Sequence, residues 1–233
     1  MKIALVGYGK MGKIIDEIAA SRGHEVVARL KETPTADSLN NPDVVIEFSQ
    51  PEAAFNNIKT CLEHRIPVVC GTTGWLDQKP RAEEIARQNN TAFLYGSNFS
   101  LGVNLFFALN EQLAKVMSRF PDYRVQLEEI HHVHKKDAPS GTAISLAEGV
   151  IAHHDAFETW KLDGTAGKEL GIFAVRQDEV PGTHSVYYQS EVDEIEIKHT
   201  AYTRNGFAQG AVIAAEWIIG KTGTFSMKDV LGI

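Results

Sequence analysis

The stretch KIALVGYGKMGKII, residues 2–15, decides the architecture. KIALV is a continuous apolar run, as expected of a central parallel strand buried on both faces. Gly7, Gly9 and Gly12 follow with G-x-G-x-x-G spacing, and Ile14, Ile15, Ile18 and Ala19 then share one face of a helix. A strand, a glycine turn and a helix in that order make a seat for a pyrophosphate. Gly7 permits the tight turn, Gly9 lets a ligand approach the backbone, and Gly12 lets helix and strand pack closely. Backbone N–H groups and the helix dipole favour the diphosphate. Gly7, Tyr8, Gly9, Lys10, Met11 and Gly12 are therefore the expected dinucleotide turn.

The pattern repeats outward from there. EVVARL (25–30), VVIEF (44–48), PVVC (67–70) and TAFLY (91–95) read as four more strands separated by helical segments. Ser49-Gln50-Pro51-Glu52 has the S-x-x-E form of a capping box, with proline in the first turn. Such alternation predicts a doubly wound parallel sheet of Rossmann type. Ligands bind beyond the C-terminal ends of such strands. That places Gly71, Thr72 and Thr73, and likewise Gly96, Ser97, Asn98 and Phe99, among the candidate cofactor residues. After the second strand, Glu32 could take a ribose hydroxyl, while Lys31 or Arg29 could pair with a 2′-phosphate.

Beyond residue 101 the pattern changes. VNLFFALNEQLAKVMS (103–118) reads as a long helix, RVQLEEI (124–130) as a strand, and Thr142 onwards as a helix. GIFAVRQ, HSVYYQ and DEIEIKHTAY are strand-like runs joined by short turns, and FAQGAVIAAEWIIG and SMKDVL are closing helices. The expected division is a dinucleotide-binding domain at 1–101, a central α+β domain with a mainly antiparallel sheet at 102–208, and C-terminal helices at 209–233 returning to the first domain.

With 43% hydrophobic and 23% charged residues, the composition is that of an ordinary soluble protein. A net charge of −7 gives no electrostatic reason to seek nucleic acid or an anionic membrane. Two cysteines, Cys61 and Cys70, read as buried thiols in a reducing compartment. No segment has the length of a signal peptide core or a membrane span, so a cytoplasmic location is expected.

EEIHHVHKKDAPSGTAIS, residues 128–145, carries the chemistry. His131, His132 and His134 are close in sequence, but adjacent strand residues point to opposite faces and the neighbouring lysines repel a cation, so no metal is expected. Ser140-Gly141-Thr142 opens a helix, whose N–H groups and two hydroxyls offer a seat for an anion. Lys135 and an imidazole would add charge-assisted hydrogen bonds and a proton near neutral pH. Beside a nicotinamide cofactor, this suits reduction of a carboxylated molecule conjugated to a C=N bond. His184 and His199 lie in strand patterns and read as core or interface histidines.

The segment Glu129–Ala143, E-x-H-H-x-x-K-x-D-A-P-S-G-T-A, resembles the signature of the dihydrodipicolinate reductase family, with Ile130 where alanine is commoner. VGYGKMG (6–12), GTTG (71–74), SNFSLGVN (97–104) and HTAYTRNGFAQGAVIAAEW (199–217) extend the resemblance along nearly the whole chain. It implies an enzyme of the diaminopimelate route to lysine, using NADH or NADPH on a small dicarboxylate. The central domain would bind substrate and assemble a homotetramer. It also implies that His131 is the acid–base residue and Lys135 the proton donor, that His132 contacts substrate, and that Gly141 and Thr142 hold a carboxylate. Lys31 stands where many members carry an acidic residue, and Glu32 where arginine sometimes follows, so the choice between NADH and NADPH stays open.

Overall fold

A computed structural model describes residues 1–203 and 205–233. The chain forms two units, Met1–Leu101 with Asn205–Ile233, and Gly102–Arg204. In chain order the first unit holds β1 (Lys2–Val6), α1 (Lys10–Ser21), β2 (Glu25–Leu30), α2 (Ala36–Leu39), β3 (Val44–Glu47), α3 (Pro51–Glu63), β4 (Val68–Cys70), α4 (Lys79–Gln88) and β5 (Ala92–Tyr95). The second holds α5 (Leu101–Met117, entered at its first residue), β6 (Arg124–His131), α6 (Gly141–Ile151), β7 (Thr159–Leu162), β8 (Glu169–Arg176), β9 (Thr183–Gln189) and β10 (Glu194–Thr200). The chain then re-enters the first unit with α7 (Asn205–Ile218), β11 (Gly223–Phe225) and α8 (Met227–Leu231).

Parallel pairing gives a six-stranded sheet in the order β11-β5-β4-β3-β1-β2. Its inner strands are mainly apolar because helices cover both faces, with the buried Glu47 at the end of β3 as an exception. One face packs on α1 and α7 through Ile15, Ala19, Val212 and Ile218, all fully buried, and the other on α3 and α4 through Ile58, Leu62 and Ala86. Each of the valine, leucine and isoleucine side chains contributes roughly 1.5–3 kcal/mol by leaving water. The order turns back between β1 and β3, which puts the ligand crevice of this fold beside the end of β1.

The helix after β3 begins differently from its expected cap. Gln50 is the N-cap and makes no side-chain bond, with Pro51 in the first turn. The Ser49 hydroxyl donates instead to the carboxylate of Glu47, which is fully buried. The helix N-terminus offers only N–H donors, whereas the Glu47 carboxyl group can accept the Ser49 proton.

In the second unit the sheet runs β10-β9-β6-β8-β7. It is mixed rather than mainly antiparallel: β10–β9 and β9–β6 are antiparallel, β6–β8 and β8–β7 parallel. The parallel half includes β7, a four-residue edge strand that the sequence reading passed over. One face packs on α5 and α6 through Phe106, Met117, Leu146 and Val150. Among the described residues, no helix is long and apolar enough to cross a membrane.

Candidate active site

Each glycine of the β1–α1 turn can be tested by asking what a Cβ would meet. Gly7 has φ +94°, and its Cβ would lie 2.0 Å from the Phe48 carbonyl oxygen. A Cβ on Gly12 would lie 2.5 Å from the Gly7 carbonyl oxygen. Gly9 differs, because nothing lies within 4 Å of its Cβ position. Packing therefore explains Gly7 and Gly12 but not Gly9. The open backbone there, at the N-cap of α1, fits a diphosphate approaching from outside. Gly9→Ala is expected to raise Kd for the nicotinamide cofactor by about tenfold or more, near 1.4 kcal/mol, with an unchanged melting temperature. Gly7→Ala should destabilise the fold by more than about 2 kcal/mol. Fluorescence titration and thermal melts separate the two, and normal cofactor affinity in Gly9→Ala would remove the seat.

The other loops at this sheet edge are stitched by the ladder continuing past the strands. Phe48 N–H donates to Val6 C=O at 2.8 Å, Gly71 N–H to Glu47 C=O at 2.9 Å, and Gly96 N–H to Cys70 C=O at 3.1 Å. Gly71 and Gly96 are glycine for packing reasons: added Cβ atoms would lie 2.1 Å from the Phe48 ring and 3.2 Å from the Phe99 ring. The Thr72 hydroxyl accepts from Ser49 N–H at 2.8 Å, and Phe99 is a core residue at 2% exposure. Lys10, Thr73 and Ser97 are exposed, Met11 packs partly into the core, and the half-buried Asn98 accepts from Ser100 N–H. Lys31 and Glu32 lie exposed just past β2. Arg29 is held by the Asp16 carboxylate at 2.6 and 2.9 Å, and Tyr8 also donates to Asp16 at 2.6 Å. The guanidinium, against a smaller opposing effect of burial, holds the Asp16 carboxyl below its usual range.

In the second unit, strand alternation builds the site. Val125, Leu127, Glu129 and His131 point to the covered face of β6, so an apolar row ends in a carboxylate and an imidazole. The loop after β6 is pinned by Gln177 N–H to His131 C=O and Val133 N–H to Asp178 C=O, at 2.8 and 3.2 Å. Lys135 donates to both oxygens of Asp137 at 2.8 and 2.7 Å, and its ammonium holds the Asp137 carboxyl low. His132 is half-buried, its ring 6.1 Å from the exposed His134. Ser140 is turned inward rather than out. Its hydroxyl caps α6 by accepting from Ala143 N–H, and lies 3.1 Å from His184 Nε2. Of the helix start expected to seat an anion, Gly141 is exposed and Thr142 half-buried, while the Ser140 hydroxyl is turned away.

Glu129 is fully buried. Its carboxylate accepts from Ser140 N–H at 2.9 Å and from Arg176 at 3.0 Å. Burial raises its pKa, but these donors and His131 outweigh it and leave the carboxyl below its ordinary value. For His131 burial wins: desolvation lowers the imidazole, aided by Lys135 and Arg176 and opposed by Glu129. His184 is pushed down to about 3 by burial and by His131, so near neutral pH its ring is uncharged, with Nε2 in hydrogen-bond contact with the Ser140 hydroxyl. Glu129, His131 and His184 bring ligand atoms within 4.8 Å of one another, as a metal site would. Ser140 already bonds both Glu129 and His184, and Arg176 supplies a positive charge, while His131 Nδ1 is buried without a hydrogen bond.

Two family models divide the chain between them: dihydrodipicolinate reductase, N-terminus, matches residues 1–99, and dihydrodipicolinate reductase, C-terminus, residues 102–231. The chain belongs to the dihydrodipicolinate reductase family. It is 53% identical to the 4-hydroxy-tetrahydrodipicolinate reductase of Christiangramia forsetii over 99% of this chain and 98% of that one. With the reductase of the same name from Methanoregula boonei it shares 35% identity over 91% and 83%. Dipicolinate-bound dihydrodipicolinate reductase from Paenisporosarcina sp. TG-14 has the same fold, at TM-score 0.82 and 22% identity over 98% of both chains. Within this family framework the sequence reading found the β6–α6 turn but did not assign Arg176 or His184 to it. Both come from strands far along the chain, paired with β6 by register.

Proposed function

We infer that this reductase-family chain converts 4-hydroxy-tetrahydrodipicolinate to tetrahydrodipicolinate with NADH or NADPH and loss of water, in the diaminopimelate route of lysine biosynthesis. The observation that carries the reading is the β6–α6 turn, which sets His131, Lys135 and the Gly141–Thr142 helix start in one short segment. The open backbone at Gly9 supports the cofactor side. A nicotinamide cofactor held at the Gly9 turn would supply the hydride that ends on ring C4. The C4 hydroxyl leaves as water, so one hydride and one proton taken up balance one water released.

The chain's own groups have distinct tasks. Lys135 is the proton donor, oriented by Asp137. His131 is its acid–base partner, buried at 7% exposure and neutral near pH 7. His132 contacts the substrate, and the amides of Gly141 and Thr142 with the Thr142 hydroxyl hold a ring carboxylate through charge-assisted hydrogen bonds. Assembly is as a homotetramer in the cytoplasm. The face of the second sheet turned away from α5 and α6 supports it, since Ile130, Phe173 and Tyr187 are half-buried there and Val175 is 37% exposed.

The test follows absorbance of NADH or NADPH while dihydrodipicolinate synthase generates the substrate. Oxidation that requires both proteins is the expected result, and the ratio of the two rates gives the cofactor preference at Lys31. A folded, cofactor-binding protein that oxidises neither cofactor would overturn the substrate assignment.

A further inference from the structure

Three side chains with no role above converge on His131. Register places Glu129 opposite His184 of β9 and Ala174 of β8, and His131 opposite Arg176. These polar residues continue the covered face of the sheet beyond its apolar part. A carboxylate at 0% exposure is costly unless donors and a counter-charge surround it. Arg176 provides the charge, and the same Nη2 also donates to Asp137 C=O at 2.7 Å. Ser140 N–H donates to the other carboxylate oxygen. One carboxylate thus ties both ends of the 137–140 segment, between Lys135 and α6.

The oxygen that receives Ser140 lies 3.6 Å from His131 Nδ1, too long for a hydrogen bond but close for a charge. Nδ1 is buried and has no other partner. Nε2 faces Gly182, where an added Cβ would lie 3.1 Å away, so the glycine keeps that edge of the ring clear. We propose that Glu129, with Arg176 as its counter-charge, is a positioning residue that orients His131 through Nδ1 and clamps the turn presenting Lys135 and the α6 N-terminus. This rests on His131 being the acid–base residue of the reaction above.

Charge makes the idea testable, because the two partners act on His131 with opposite sign. The groups facing the imidazole are Glu129 on its own strand, Lys135 and Asp137 on the loop, Arg176 on β8 and His184 on β9, with His199 of β10 behind His184. Glu129→Gln removes the only one of the strand groups that favours the protonated ring, whereas Arg176→Gln removes one that disfavours it. The experiment compares both variants with His131→Asn, using the pH profile of kcat/KM and NMR titration of the labelled His131 ring. Glu129→Gln is expected to move the His131 titration about one unit lower and Arg176→Gln about one unit higher. Both should lower kcat more than KM for the cofactor.

A purely structural role would lower thermal stability without opposite shifts, and titrations coincident with wild type, or moving together, would overturn the proposal. Should Glu129→Gln not fold, Arg176→Gln is read alone by the same titration, and a wild-type curve with wild-type turnover there would overturn the proposal equally. His131→Asn keeping its turnover would instead refute the acid–base reading, while the NMR titrations would still decide the coupling to Glu129.

Discussion

Lys135→Ala should lower kcat by roughly 10²–10⁴-fold, the range for loss of a positioned proton donor. The fold should survive the change. Lys135 makes its ion pair with an Asp137 side chain that is 61% exposed, so removing the ammonium strands no buried charge. An exposed pair of this kind contributes about 0–1 kcal/mol. Cofactor affinity should also be unchanged, because the proposed pyrophosphate seat is the open backbone at Gly9 and not Lys135. Lys135→Arg sharpens the reading. It keeps a positive charge that can still attract a dicarboxylate, but a guanidinium does not release its proton near neutral pH. Substrate KM should therefore recover in Lys135→Arg while kcat stays low. Recovery of both would make Lys135 a charge that binds substrate, and unchanged turnover in Lys135→Ala would remove it from the mechanism.

β1, β3, β4 and β5 were legible because each is a short, mainly apolar run buried on both faces. Where a competing interaction exists, the local rule failed. Ser49 has capping-box spacing, yet its hydroxyl goes to Glu47, whose burial depends on the tertiary sheet and leaves no mark in a four-residue pattern. Two strands were missed for a related reason. TWKL of β7 is half-exposed at a sheet edge, and GTF of β11 is three residues long and begins with glycine, so neither carries a strong period. The missing β7 also explains why the second sheet was expected to be mainly antiparallel, since that strand contributes one of the parallel pairings.

Within the site, the limit lies between local and cross-strand information. Alternation along RVQLEEIH already separates Val125, Leu127, Glu129 and His131 from Gln126, Glu128 and Ile130. That signal singles out Glu129 as a carboxylate on an otherwise apolar face. Arg176 and His184 had no such signal, because their place beside Glu129 is set by strand register across β8 and β9. Ser140 shows the converse: its position as a helix cap was readable, but the direction of its hydroxyl depends on His184, 44 residues away.

His131→Asn carries the second large effect, again roughly 10²–10⁴-fold in kcat. The direction of its pH dependence follows from burial. Desolvation lowers the imidazole below its ordinary value near 6.5, so the ring is neutral at pH 7 and gains a proton only as pH falls. The limb of kcat/KM that reports His131 should therefore lie below about pH 6.5 and vanish in the variant. Stability carries the same sign. The unfolded chain protonates this histidine near 6.5 while the native state resists, so the wild type should lose stability as pH falls from there toward the lowered native value. Asparagine does not titrate, so it should remove the His131 share of that dependence, leaving the share of His184, as well as the activity limb. Both changes are needed to place the ring in the reaction. A vanished activity limb with unchanged acid stability would assign the titration seen in kcat/KM to His131 but contradict its burial. A retained limb would pass the acid–base role to another group of the same turn.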